Sequence, residues 1–275
     1  MKVAFQGERG SYSEEAGRKF FSSKFEPMPL TAFAGVYDAV ESGKADRGII
    51  PIENSLVGSI HQNYDLLLKH HLKIVGEQNL RIEHNLITHP GSKIEGLSEI
   101  HSHPVALDQC KEFLDKHQKL TAHVAYDTAG AVKLIKENEQ TQAAAIAGRY
   151  AAELYEMEIL AESIQDEPDN YTRFLILSKE VAEYSENAKT SIVFALKNLP
   201  GVLFKALSVF ALRDLDLTKI ESRPLRKKMW QYYFYLDFNG HIEDEAAKNA
   251  IGHLREITTF LKILGSYPAS SANGE

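Results

Sequence analysis

Four short stretches gather side chains able to move protons or hold small anions. Gly7-Glu8-Arg9-Gly10-Ser11 places two glycines around a turn whose backbone amides can face an anion. It is neither GxGxxG nor GxxxxGK[ST], and a plain strand–helix turn capped by Ser11 fits it equally well. Pro51-Ile52-Glu53-Asn54-Ser55 sets a carboxylate, an amide and a hydroxyl side by side, and Ser102-His103-Pro104 is followed by Gln109-Cys110. Asn170-Tyr171-Thr172-Arg173 leads straight into the apolar run Phe174-Leu175-Ile176-Leu177. If that run enters a sheet, Thr172 and Arg173 stand at its rim; the alternative is an exposed strand start.

Other candidates read as structural. His101-Ser102-His103 and His70-His71 invite a metal, but alternating residues on an extended segment point to opposite sides. No Cys or carboxylate joins them at ligand spacing, so satisfied or solvated histidines are expected, and no metal. Cys110, in an amphipathic helix, reads as a buried inert thiol. No Ser-x-Gly elbow marks a nucleophile. Asn170-x-Thr172 also matches a glycosylation acceptor, a chance match without an export signal.

The elements that must position these residues alternate. Short apolar runs at Val3–Phe5, Gly48–Ile50 (closed by Pro51), Leu72–Val75, Asn85–Thr88, Glu99–His101, Ala122–Ala125 and Ala143–Ile146 read as strands. Helical patterns start at about Ser11, where Ser11 and Glu14 have capping-box spacing, and cover 33–42, 58–70, 104–117, 128–138 and 147–155. Such alternation predicts a parallel α/β sheet, whose ligands bind beyond the carboxyl ends of the strands. The polar loops lie there, in groups before and after about residue 78, which predicts two lobes around one cleft. After the polar stretch 182–187 the pattern is strand 189–197, helix 201–213, strands 215–221 and 230–238, helix 242–255 and strand 257–264, a βαββαβ unit. The loop 223–228 reads as a solvated turn and 268–275 as a flexible tail.

Composition narrows the function classes. The chain has 275 residues, one large domain or two modest ones, with 44% hydrophobic and 25% charged residues, as globular proteins have. A net charge of −7 and a pI of about 5.9 argue against a nucleic-acid partner. One Cys excludes an internal disulfide framework. With no signal peptide and no apolar run of ~18 residues, a cytoplasmic protein without a membrane partner is expected.

Taken together, the four motifs resemble prephenate dehydratase over nearly the whole chain. The family's Gly-Pro-x-Gly-Thr-Phe-Ser, Pro-Ile-Glu-Asn-Ser, Ser-His-Pro…Gln-Cys and Asn-x-Thr-Arg-Phe are met in order. Glu8 replaces Pro, and Ser11 and Tyr12 replace Thr and Phe. The C-terminal unit is similar to an ACT regulatory domain: Pro200-Gly201-Val202-Leu203 and Glu221-Ser222-Arg223-Pro224 resemble its phenylalanine-binding motifs, with Val202 in place of a smaller Ala. The resemblance implies a two-lobed, periplasmic-binding-protein-like α/β catalytic domain over 1–182, with lobe one about 1–78 and 157–182 and lobe two about 79–156. A ferredoxin-like βαββαβ ACT domain over 188–267 follows. It implies a cofactor-free, monofunctional enzyme that converts prephenate to phenylpyruvate and is inhibited by L-phenylalanine. A homodimer or tetramer paired through the ACT domains is implied as well. Arogenate dehydratase and a non-catalytic amino-acid sensor remain as alternatives. Carried onto this chain, Thr172, Asn54, Gln109 and Ser102 are catalytic. Ser11, Glu53, Ser55, Arg173 and Phe174 bind substrate, and Asn198, Gly201, Val202, Leu203, Glu221 and Ser222 bind phenylalanine.

Overall fold

The computed structural model describes residues 1–22, 25–225 and 231–270. In chain order the elements are β1 (Lys2–Gln6), α1 (Tyr12–Phe20), β2 (Glu26–Leu30), α2 (Phe33–Glu41), β3 (Arg47–Asn54), β4 (Gly58–Ser59), α3 (His61–Lys69), β5 (Lys73–Arg81), β6 (Asn85–Thr88), β7 (Glu99–Ser102), α4 (Pro104–Asp108), α5 (Lys111–Lys116), β8 (Thr121–Val124), α6 (Thr128–Glu137), β9 (Ala143–Ala147), α7 (Arg149–Leu154), β10 (Glu158–Ala161), β11 (Tyr171–Ser178), β12 (Ala188–Leu196), α8 (Val202–Ala211), β13 (Leu217–Pro224), β14 (Tyr232–Asn239), α9 (Glu245–Ile257) and β15 (Thr258–Pro268). They form two compact units. Among the described residues, one is Met1–Ser59 with Gln78–Phe174; the other is Ile60–Glu77 with 175–270.

The first unit is built on two sheets, one per lobe, in the orders β2-β1-β3-β11-β5 and β10-β6-β9-β7-β8. The chain of β5 and β11 continues into the second unit. β1 is parallel to β2 and β3, and β7 to β8 and β9, whereas β6 runs antiparallel to β9 and β10. All five residues of β9 are buried, and their side chains alternate between two cores. Ala143, Ala145 and Ala147 meet Ala129 and Val132 of α6; Ala144 and Ile146 meet Ala106 of α4 and Ile100.

Three local differences from the sequence pattern have physical causes. β3 runs through Pro51 instead of stopping there, because its pairing with β1 ends at Ile49 and the missing N–H falls beyond it. β2, with two prolines, gives no strand signal and is tolerated as an edge strand. The expected helix 104–117 breaks into α4 and α5 at Gln109-Cys110. The Asp166 carboxylate accepts from Lys111 N and Glu112 N, while Asp166 N donates to Gln109 O. The segment 58–70 is likewise divided, into β4 and α3.

In the second unit the antiparallel order β13-β14-β12-β15 completes βαββαβ. Ile192, Phe194, Leu236 and Phe238 pack under α8 and α9. The chain 60–77 also packs on this sheet. Tyr235 Oη donates to Tyr64 O at 2.7 Å. Lys262 Nζ donates to the carbonyls of Leu67, Leu68 and His70, supplying cations and donors to the open end of α3. Residues 226–230 of the predicted turn and of the β14 start, and 271–275 of the tail, lie outside the described residues; Ser270 N donates to Glu77 Oε1 at 2.9 Å.

Gly265 of β15 presses on the backbone of Ile74, where a Cβ would meet the Ile74 carbonyl. Neither backbone can rotate away. Gly265→Ala is therefore expected to cost about 1–3 kcal/mol and to lower Tm in a thermal melt; an unchanged Tm would show slack between β15 and Ile74.

Candidate active site

The site starts from one anchored amide. β3 ends at Asn54, whose Oδ1 accepts from Leu56 N and Val57 N, both at 3.0 Å. Two backbone N–H groups on one oxygen leave no choice of amide orientation. Asn54 Nδ2 then donates to Thr172 Oγ1 at 2.9 Å and to Asn170 Oδ1 at 2.7 Å. Asn170 Oδ1 being the acceptor, Asn170 Nδ2 donates to Gln109 Oε1 at 3.1 Å. Asn170 is fully buried and Thr172 is 8% exposed. The chain therefore joins Asn54, Asn170 and Thr172 of lobe one to Gln109 of lobe two.

Two donors are left over. Thr172 Oγ1 receives a hydrogen bond, so its own proton points elsewhere, and Gln109 Nε2 has no partner among the described residues. Both are neutral donors held by neutral neighbours.

Strand alternation decides where the adjacent residues go. On β11, Thr172 and Phe174 are buried and Arg173 points to the opposite face. There Arg173 Nη1 donates to Glu53 Oε1 at 3.1 Å, so the residues flanking the amide–hydroxyl pair form an ion pair on the other side of the same two strands. Phe174, 2% exposed, belongs to the core. Ser55 fixes the loop: Ser55 Oγ donates to Asp169 O and accepts from Tyr171 N.

The structure does not bring Ser102 to this cluster. Ser102 is fully buried, and its Oγ donates to Ile146 O at 2.6 Å, pinning β7 to β9. Three of the amides around Ser11 are already engaged within the fold. Gly7 N donates to Leu30 O, Gly10 N to Glu14 Oε2 and Ser11 N to Glu8 O. Ser11 Oγ caps α1 by accepting from Glu14 N, while the Glu14 carboxylate reaches one residue further back than a capping box, to Gly10. Glu14 is fully buried and takes Arg9, Arg18 and the Tyr150 hydroxyl. Burial alone would raise its pKa, but the Gly10 N–H and the two guanidiniums outweigh that and hold it below the usual carboxylate range.

The histidine pairs and the thiol have local roles. His101 pairs with Glu99 and stacks on His123; His103 Nδ1 accepts from Val105 N at the start of α4. Burial pushes the Cys110 thiol up to about 12, so it is no nucleophile at neutral pH. One residue of the network carried no sequence signal. His84 is 2% exposed, and its Nε2 lies 2.9 Å from Gln109 Oε1.

In the second unit, alternation along β13 separates Glu221 from Ser222. Glu221 and Arg223 face α3, at 3.3 Å from His61 and 3.2 Å from Asp65. Ser222, paired with Phe234, is on the opposite side of β13 and is exposed there, and the start of α8 carries Val202 and Leu203 against the core. Gly201 adopts φ 75°, a left-handed conformation that favours glycine, and Asn198 is exposed beside it.

Two α/β lobes bridged by a neutral amide–hydroxyl chain, together with a ferredoxin-like unit, define a two-lobed enzyme with an ACT-type regulatory unit. The chain belongs to the prephenate dehydratase family: that family's model matches residues 3–182, and the ACT domain model matches 190–256. It is 49% identical to arogenate dehydratase/prephenate dehydratase 2 of Arabidopsis thaliana, a chloroplastic enzyme, over 98% of this chain and 74% of that one. Among solved structures it is similar to GqqA, described as a novel type of quorum-quenching acylase, with 34% identity, a TM-score of 0.90 and 98% of each chain covered. It is also similar to prephenate dehydratase of Arthrobacter aurescens in complex with L-Phe, with 29% identity, a TM-score of 0.89 and 100% and 91% coverage. Among the described residues no helix is long and apolar enough to cross a membrane.

Ser102→Ala is expected to keep turnover within about fivefold, because the hydroxyl touches only the Ile146 carbonyl. It should cost about 1–3 kcal/mol of stability by leaving that carbonyl unpaired. Denaturant unfolding beside a turnover assay separates the two effects; lost turnover at unchanged stability would return Ser102 to the site.

Proposed function

We propose that this chain converts prephenate to phenylpyruvate, CO2 and water, with Thr172 as the donor to the departing hydroxyl. The observation that carries the reading is the Asn54 Nδ2–Thr172 Oγ1 hydrogen bond. A threonine hydroxyl is too weak an acid to act as a carboxylic acid would. Receiving a hydrogen bond from an anchored amide makes its proton a better donor and aims it away from Asn54. The bond from ring carbon to carboxylate breaks, CO2 leaves, and the electron pair passes through the ring as it becomes aromatic. The ring C–O bond breaks, and the departing hydroxide, held by the Thr172 donor, takes up one proton from solvent, relayed through Thr172, to leave as water.

The neutral surround serves the same step. A cation on the ring carboxylate would stabilise the ground state and slow its loss. Asn54, Asn170, Thr172 and Gln109 are uncharged, and the nearest sequence cation, Arg173, is held on the opposite face by Glu53. In this reading Arg173, Glu53, Ser55 and Phe174 shape the strands around the site, and Gln109 Nε2 takes a substrate oxygen. The Arabidopsis relative carries both substrate names, and this chain's preference is part of the test.

Phenylalanine inhibition through the ACT unit (188–267) is supported by the L-Phe complex of the Arthrobacter relative. Effector binding around Asn198, Gly201, Val202, Leu203 and Ser222 bears on β13, whose Glu221 and Arg223 grip α3. α3 begins only seven residues after Asn54, so a pull on it reaches the site along the chain. Phe204 (76% exposed), Leu212 (81%) and Ile220 (46%) offer an apolar surface to a second copy, in line with a homodimer or tetramer. The one buried Cys, with no disulfide partner to seek, fits the cytoplasm.

The test is phenylpyruvate formation from prephenate, with arogenate as competing substrate, with and without millimolar phenylalanine. Thr172→Ala is expected to lose about a hundredfold or more in turnover while still binding phenylalanine; near-normal turnover would remove Thr172 from the mechanism. Asp65→Asn, which weakens the hold of Arg223 on α3, is expected to weaken phenylalanine inhibition severalfold with uninhibited turnover preserved. An unchanged inhibition curve would remove α3 from the coupling.

A further inference from the structure

The hydrogen-bond chain does not end at Gln109. Gln109 Oε1 already accepts from Asn170 Nδ2, and the same oxygen lies 2.9 Å from His84 Nε2. An oxygen can only accept, so Nε2 carries the proton. The remaining ring nitrogen, Nδ1, lies 2.8 Å from Tyr12 Oη, and Tyr12 stands edge-on to the imidazole at 5.7 Å between ring centres. The Tyr12 hydroxyl also lies 2.8 Å from Glu83 O. The ring is fixed from behind by its own backbone: His84 N donates to Gln165 Oε1 and His84 O accepts from Ile164 N. The hydrogen-bond chain therefore runs from two backbone amides at Leu56 and Val57 to Gln109 Oε1, which accepts from Asn170 on one side and from a buried histidine on the other.

We propose that His84 is the positioning residue of this site, its Nε2–H holding the Gln109 carbonyl oxygen so that the Gln109 NH2 group faces the substrate. The inference rests on the reading of Thr172 and Gln109 given above. Without the His84 donor, Gln109 Oε1 is held by the Asn170 NH2 alone, and an amide that turns over sets its NH2 against the Asn170 NH2 as donor against donor. That conflict passes to Asn54 and Thr172. Burial lowers the His84 pKa, which favours the neutral ring with a free Nδ1 lone pair. Tyr12, which stands where the family pattern has Phe, places its hydroxyl 2.8 Å from both that lone pair and Glu83 O, so its one proton is shared between two acceptors and the tautomer is set by Gln109 Oε1.

Two measurements test this. In the wild-type protein with 15N-labelled histidine, the His84 signals (assigned by their loss in His84→Gln) are expected to show a protonated Nε2. An unprotonated Nε2 would overturn the proposal whatever the enzyme's activity. In turnover assays His84→Leu is expected to lose about ten- to hundredfold in kcat, with KM within about twofold. The split arises because an oriented donor matters most as charge develops on the leaving oxygen. His84→Gln, whose amide nitrogen reaches the Nε2 position, is expected to recover most of that loss. Equal losses in both variants, or a loss confined to KM, would overturn the proposal. Phenylalanine binding reports on folding in each variant, and Thr172→Ala assayed alongside tells failure of the mechanism from failure of the positioning role.

Discussion

Everything at the site depends on the two backbone N–H groups that hold Asn54 Oδ1. A side-chain amide can be turned over with little change in shape, so its orientation has to be imposed. Here a backbone turn imposes it, because Leu56 and Val57 offer only donors. Each later residue inherits its direction from the one before: Asn170 through Asn54, Gln109 through Asn170, and His84 through Gln109. A network so directed presents donors without carrying charge. That suits a reaction in which one carboxylate must depart as neutral CO2 and an oxygen must leave with a proton.

Charge is present nearby but is kept elsewhere. Arg173 neighbours Thr172 in sequence and is engaged by Glu53 on the opposite face of the strands. Arg9 and Arg18 converge on the buried Glu14, which also holds the Tyr150 hydroxyl. The loop 7–11 thus meets the other lobe through the Glu14 hub and the Tyr150 hydroxyl, and its Gly7, Gly10 and Ser11 amides are engaged within the fold. A loop that looks ready for an anion is instead a structural joint.

The second unit repeats the same economy of alternation. Glu221 and Arg223 fall on one face of β13 and meet His61 and Asp65 of α3, while Ser222 falls on the opposite, exposed face. A motif contiguous in sequence therefore serves two sides of one sheet. One side is exposed and the other grips α3, which begins seven residues after Asn54 in the chain.

The sequence by itself determined most of the strand–helix alternation, the βαββαβ unit and the family, because periodicity and contiguous motifs are local properties of the chain; β2, β4 and β10 escaped it. It marked Asn54, Gln109 and Thr172, since their motifs are short and continuous. Only the tertiary structure decided that Ser102 is a cross-strand pin, that Arg173 faces away from Thr172, and that His84 stands behind Gln109. Those outcomes depend on strand alternation, on the break of the helix at Gln109 by Asp166, and on contacts between residues 25 to 120 positions apart. The direction of a hydrogen bond is a property of the whole chain of partners, and no stretch of sequence contains all of them.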